Sequence, residues 1–350
     1  WSDRASEGLI HGEWHGGRLD EDNGQVYNVD STDMPDVMTY DGLVRDSIIH
    51  TGDDGADTIT VNGLVTASTG KVTDILAKGA ASVITVNGTA DADAAVRSSG
   101  DLSIKATGTG ASIGISGARG GVLTSANGKA AGEAEQVTIA GSVHGTYAAS
   151  GFIDVEGDTV SVSGTGNGDV YGVRSEAAGG QPARTGVTGT DSLTVSALSG
   201  SGGDAFGVYS EGNGSQRASG TLSGDKDVQI SANSRSANAT GMGAVSATNR
   251  VSGSTVGLEV EASVGNAVGL LASVNPAAAT GTDTLGGSNT IEAGTIAVTA
   301  TSGSGSVTVA RAAADGQSSL SGTNTMTATG GITLQGSASG GVNGLLAQSG

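Results

Sequence analysis

The sequence predicts an all-β chain wound as a right-handed parallel β-helix, with about three short strands to the turn. Three observations point there. A glycine-centred phrase, Asp169-Val-Tyr-Gly172-Val-Arg-Ser, returns as Asp204-Ala-Phe-Gly207-Val-Tyr-Ser and, more loosely, around Gly241 and Gly269. Each copy follows a stretch in which apolar and polar residues alternate with the period of a half-buried strand: Thr159-Val-Ser-Val162-Ser, Leu193-Thr-Val195-Ser-Ala, Val228-Gln-Ile230-Ser-Ala and Leu258-Glu-Val260-Glu-Ala. Finally, 62 glycines and 3% aromatic residues among 350 are too few bulky side chains for a compact core. Yet Val, Ile and Leu return too regularly for a disordered linker.

The chain divides at about residue 52. Residues 1–52 form an acidic N-terminal cap or lead-in: both tryptophans, three of the four histidines and Pro35 lie there, and 14 of the 35 acidic residues fall in the first 60 positions against Arg4, Arg18 and Arg45. Residues 53–350 form the β-solenoid. Its first copies share the phrase Ile-Thr-Val-Asn-Gly, at Ile59–Gly63 and again at Ile84–Gly88, 25 residues on. From Asp101 the glycine phrase is placed at Gly114, Gly145, Gly172, Gly207, Gly241, Gly269 and Gly344, with Thr308 in the glycine's place once, at steps averaging about 33 residues. A third phrase, Gly-Thr-Leu222-Ser-Gly, has counterparts at Val187, Val251, Leu285 and Leu320. Gly, Asn, Asp and Ser turns separate the three and leave little room for helix to propagate.

Stacking these copies aligns Ile115, Thr146, Val173, Val208, Met242, Leu270, Val309 and Leu345 in one column. Ile113, His144, Tyr171, Phe206, Thr240, Val268, Val307 and Asn343 form a second column two residues away. Residues two apart on a strand share a face, so both columns are expected to point into the solenoid. His144, Tyr171 and Phe206 would then form an internal aromatic ladder, packed as core.

A net charge of −19 argues against nucleic acid as a partner, because nothing in the sequence forms a basic stripe to neutralise phosphates; it favours solubility and hard cations. Cysteine is absent, which removes disulfides and thiolate metal sites. No run of about 18 apolar residues is present to cross a membrane as a helix, so no insertion by this segment is expected. Gly350 follows Gly344 by six residues, inside a rung, with nothing to blunt the sheet edge. The natural polypeptide is therefore expected to continue into further rungs.

Gly52-Asp53-Asp54-Gly55-Ala56-Asp57-Thr58-Ile59 resembles the calcium-binding nonapeptide of RTX β-rolls. The resemblance implies one calcium ion at Asp54 and Asp57; the alternative is a turn whose acids are solvated. His11-Gly-Glu13-Trp-His15 lacks the His-Glu-x-x-His order and the helix that would align its imidazoles, so these read as surface histidines. Asp20-Glu-Asp22-Asn-Gly24 misses EF-hand spacing by one place. The parallel β-helix also serves pectin-degrading enzymes, which need clustered acids and bases in a groove. Here Arg174, Arg217 and Arg250 stand on separate phrases without companion acids at matched columns, and the Gly-Ser-Gly strings at 200–202 and 303–305 are low-complexity turns rather than nucleophile elbows.

Acidic, cysteine-free and rich in Gly, Ser, Thr and Ala over residues 51–350, the chain resembles the passenger segments of bacterial autotransporters and large repetitive surface adhesins. The resemblance implies a non-enzymatic stalk or adhesin at the bacterial surface or secreted from it, recognising a surface glycan or protein of host or bacterium. It also implies a C-terminal β-barrel in the outer membrane outside this segment. The alternative is a polysaccharide-acting β-helix enzyme, a lyase, hydrolase or tail-spike-like depolymerase.

Overall fold

The computed structural model describes residues 13–16, 26–28, 35–51, 55–125, 127–178, 180–213, 216–274, 286–314 and 321–349. Among these the regular structure is strand without helix, gathered into an 18-stranded and an 11-stranded sheet whose strand pairings are parallel. Chain order shows how one rung is made. Val37–Asp41 enters the larger sheet, Val44–Arg45 the smaller and Ile48–His50 the larger again; Thr58–Asn62 then lies on Val37–Asp41 to begin the next rung. The chain is thus a parallel β-helix with three strands to the rung. From Phe152 onward the two strands that a rung gives the larger sheet fuse into one in most rungs, as in Phe152–Gly166 and Ala183–Ser199, with a register shift between Gly157 and Thr159 where the faces meet, while Ala218–Gly224 and Asp227–Ser234 stay separate.

Side-chain volume follows the pleat. Met38, Ile59, Ile84, Ile113, Val137, Val160, Leu193, Val228, Val256 and Ile296 stand in register and are all buried. Tyr40, Val61, Val86, Ile115, Ile139, Val162, Val195, Ile230, Leu258 and Val298 form the next column of the same face. With no core deeper than one rung's width, β-branched residues and Leu fill most of the interior, Tyr40 near its N-terminal end being an aromatic exception, which explains the composition. The repeated Ile-Thr-Val-Asn-Gly is one rung stacked on the next: Ile59 pairs with Ile84, and Asn87 donates its side-chain amide to Asn62 across 25 residues. Rungs lengthen to 40 residues between Asn249 and Asn289.

Polar ladders fix the corners. Asn249, Asn289 and Asn324 are in register; each side-chain amide donates to a carbonyl of the smaller sheet, at Gly243, Leu271 and Arg311 respectively, and Asn249 and Asn289 each also donate to the next asparagine. On another corner the side chain of Asp204 accepts from the backbone N–H of Asn238, that of Asn238 from Asn266, and that of Asn266 from Ser306. At the corner leading into the first strand of each early rung, Gly55, Gly79 and Gly108 have φ of 116°, 99° and 109°. A Cβ on Gly79 would meet the Gly55 carbonyl oxygen at 2.0 Å, so this stacked corner excludes any side chain.

Several positions depart from the expected alignment. The ladders reach N-terminal to residue 53: Glu13–Gly16 pairs with Val37–Tyr40, and Val26–Asn28 with Ile48–His50. Parallel pairing is thus present on both sides of residues 52–54, which lie outside the described residues, and Val37–Asp41 pairs with Thr58–Asn62. Ile113 and Ile115 belong to the larger sheet, beside Val137 and Ile139, so Gly114 is not a member of the glycine series; Gly120 and Val122 of the smaller sheet pair with His144 and Thr146. Near the C-terminus Thr308 pairs with Val268 and Ala310 with Leu270. Val309, not Thr308, therefore takes the glycine's place, and Gly269-Leu270 becomes Val309-Ala310, with the bulk moved by one residue. Leu285 and Leu320 lie outside the described residues; Ile291 and Met326 occupy the column of Leu222 and Val251.

Candidate functional site

The outward face of the 11-stranded sheet gathers four of the chain's seven Phe and Tyr residues: Tyr147, Tyr171, Phe206 and Tyr209. The expected internal ladder is thus on the outside. The reason lies in the glycine. Val170 and Val173 are both fully buried, a spacing of three that simple alternation forbids. Tyr171 pairs with Phe206 and Val173 with Val208, but no bridge forms at the glycines between them. A Cβ on Gly172 would sit 2.6 Å from Val195 Cγ1 in the core, and one on Gly207 2.6 Å from Ile230 Cγ2. Glycine and the residue after it both turn inward, which reverses the face and sends Tyr171 and Phe206 out. Val208 points inward as expected.

The strip is continuous. His144 meets Tyr147 edge-on with centroids 5.3 Å apart. The Arg174 guanidinium lies 4.5 Å from the Tyr147 ring centre and 4.6 Å from that of Tyr171, bridging two rungs by cation–π contact. Tyr171 stacks on Phe206 at 5.0 Å and 8°, and Tyr209 tilts against both. Carboxylates order the polar tips: Tyr147 Oη and an Arg174 Nη each donate to Glu176, at 2.8 and 2.7 Å, and Tyr209 Oη donates to Glu211 at 2.9 Å. Arg174 thus has an acid companion after all, on its own strand, and Arg250 has Glu292 on the next rung.

Burial sets the protonation of this strip. It pushes the Tyr147 phenol up to about 12 and, with the Glu211 charge, holds the Tyr209 phenol above its ordinary range, so both remain hydrogen-bond donors. His144 is 6% exposed, and its Nε2 finds no hydrogen-bond partner among the described residues. Burial first, then the charges of Arg174 and Arg119, lower it to about 4, against the opposing charge of Asp93. The imidazole is therefore neutral at pH 7.

Beyond the aromatic rings the strip opens into a groove. Phe206 and Tyr209 form one end; Thr240, Val268, Leu271 and Thr308 line it; Arg311, Leu346 and Gln348 close the other. The Tyr209 ring leans over Gly243, where a Cβ would come within 2.9 Å of it. Asp204, Asn238, Asn266 and Ser306 of the corner ladder make one wall.

A second groove, on the larger sheet, is acidic, with Glu133, Glu135, Glu156 and Asp158 beside Lys105. Three of these acids are engaged: Lys105 pairs with Glu133 at 2.7 Å, Glu135 accepts the Gly110 N–H, and Asp158 accepts from Thr190. Of the calcium candidates, Asp54 lies outside the described residues. Asp57 is fully buried at a corner, its Oδ1 accepting the Asp36 N–H at 2.9 Å and its own N–H donating to Ser82 Oγ at 3.2 Å. Among the described residues no three His, Asp or Glu side chains are placed to hold a metal ion.

The outward strip was missed because residues two apart were assumed to share a face. The signal was available: a lone glycine within a strand pattern, with apolar residues three apart around it, marks a bulge. Comparison of the chain with protein-family models, with curated proteins and with solved structures found no match.

Proposed function

We propose that the chain is a non-enzymatic stalk or adhesin segment of a bacterial surface or secreted protein, and that it binds a surface glycan or protein through the outer face of its smaller sheet. The supporting observation is the concentration of the chain's scarce aromatic residues on that face, ordered by Arg174, Glu176 and Glu211. Val, Ile and Leu fill the interior beneath them, and Phe206 and Tyr209 keep half-buried ring surface on the outer face, while Tyr171 is largely covered by its neighbours. Aromatic and Arg side chains on an otherwise small-residue surface are the composition of binding hot spots. The resemblance to autotransporter passengers supports an extracellular location and an outer-membrane barrel elsewhere in the natural polypeptide.

A polysaccharide-acting enzyme is the second reading, and the groove of Glu133, Glu135, Glu156 and Asp158 favours it, since glycoside cleavage uses paired carboxylates. A glycan-array screen run beside a reducing-sugar assay decides between them. Retention of glycans without release of reducing ends supports the stalk or adhesin. Release of reducing ends that stops in Glu156→Gln or Asp158→Asn supports the enzyme.

A further inference from the structure

We propose that the groove between Phe206 and Arg311 is a subsite for a linear, carboxylate-bearing glycan, with a sugar ring against Phe206 and Tyr209 and a carboxylate on Arg311. The proposal rests on the surface-binding reading above and deepens it.

Three features of the groove select this ligand. Phe206 and Tyr209 offer half-buried ring surface at one end, suited to the apolar face of a pyranose, while Thr240, Thr308, Asn238 and Asn266 bring hydroxyl and amide groups alongside. The register runs Phe206, Thr240, Val268, Thr308 over successive rungs, and Arg311 shares the strand of Thr308. At about 4.8 Å per rung the aromatic end and Arg311 are roughly 14 Å apart, room for a short oligosaccharide lying along the solenoid axis.

The third feature is Arg311 itself. In a chain of net charge −19, Lys105, Arg174, Arg184, Lys226 and Arg250 each pair with a carboxylate. Arg311 instead donates from Nη2 to the neutral Gln348 at 2.7 Å, and its Nε is buried without a partner among the described residues. A guanidinium fork held in a groove with no acid paired to it among the described residues is a ready partner for a carboxylate. A single cation in the groove of an acidic protein does not suit the repeated phosphates of nucleic acid. An extended peptide would gain most from a free sheet edge, whereas this surface is the middle of a sheet, whose backbone groups are spent in the ladders.

The test is an array of uronate, sialylated and neutral oligosaccharides, followed by isothermal titration of the best acidic binder and its neutral counterpart. The proteins are the full chain, Phe206→Ala, Arg311→Gln and, as a control on another face, Arg250→Gln, each shown by its melting curve to be folded. Arg311→Gln is expected to weaken the acidic glycan at least about tenfold, as loss of one charge-assisted contact does, and to leave the neutral one unchanged. Phe206→Ala is expected to weaken both, and Arg250→Gln neither. Acidic binding that survives Arg311→Gln and Phe206→Ala overturns the groove while leaving the surface-binding reading in place. An array on which no glycan is retained overturns the groove; if release of reducing ends accompanies that silence, the adhesin reading falls with it.

Discussion

The rings of Tyr171 and Phe206 stack at 5.0 Å and 8° on the outside of the solenoid, although Val173 and Val208, two residues further along each strand, are fully buried. One glycine per strand, Gly172 and Gly207, makes both statements true. A double-mutant cycle on Tyr171→Ala and Phe206→Ala should give a coupling of about 0.5–1.5 kcal/mol in urea unfolding, the range for stacked aromatic pairs. A coupling near zero would mean that the rings lie side by side without mutual stabilisation.

Acid should weaken the rungs around His144. Its folded-state pKa of about 4 lies below the ordinary 6.5. Between those values the unfolded chain binds a proton that the folded chain refuses, so stability rises with pH through this window and is lost as pH falls from 6.5 to 4. The full loss is about 3 kcal/mol at 1.36 kcal/mol per pH unit. Urea unfolding at pH 7 and pH 4.5 measures it, and His144→Gln should remove this part of the pH dependence. An equal pH dependence in wild type and variant would assign the acid sensitivity to carboxylates.

The buried asparagine ladder is expected to be a stability feature of the C-terminal rungs. Asn289→Ala strips the Leu271 carbonyl, Asn249 and Asn324 of a partner each and should cost about 1–3 kcal/mol. Asn233→Ala, which removes an exposed bond to Glu261, should change stability by about 0.5 kcal/mol or less. Equal effects would show that burial of the ladder contributes nothing.

Calcium at millimolar concentration, the range of weak extracellular modules, should stabilise the N-terminal rungs alone, through Asp54 and Asp57. Asp57→Asn keeps an acceptor for the Asp36 N–H and so separates ion binding from the corner hydrogen bond. Titration calorimetry without heat at that concentration removes the ion from the account and leaves Asp57 as a corner residue.

Much of this architecture was legible in the sequence because a β-helix repeats its pleat: Leu193, Val195 and Ile230 announce the strands by alternation, and the two Ile-Thr-Val-Asn-Gly copies announce a rung. Register was less legible. Val309 and Ala310 carry the volume that Gly269 and Leu270 carry one residue later, so the copies look misaligned until their neighbours across the ladder are known. The candidate face was hidden by the same glycine that advertised the repeat, because alternation predicts sides only where the pleat is unbroken. Arg311 had no sequence signal at all. Its pairing with the neutral Gln348, and with no acid among the described residues, is a property of the folded surface.

The most direct test of the central claim, that the glycine bulge puts Phe206 outside and Val208 inside, is the unfolding free energy of Phe206→Asp against Val208→Asp. Val208→Asp should destabilise by several kcal/mol, since it leaves a carboxylate unpaired between rungs, and Phe206→Asp by about 2 kcal/mol or less, since its charge stays in contact with water. Equal and large losses would place both residues in the core, return the aromatic ladder to the interior and remove the binding face.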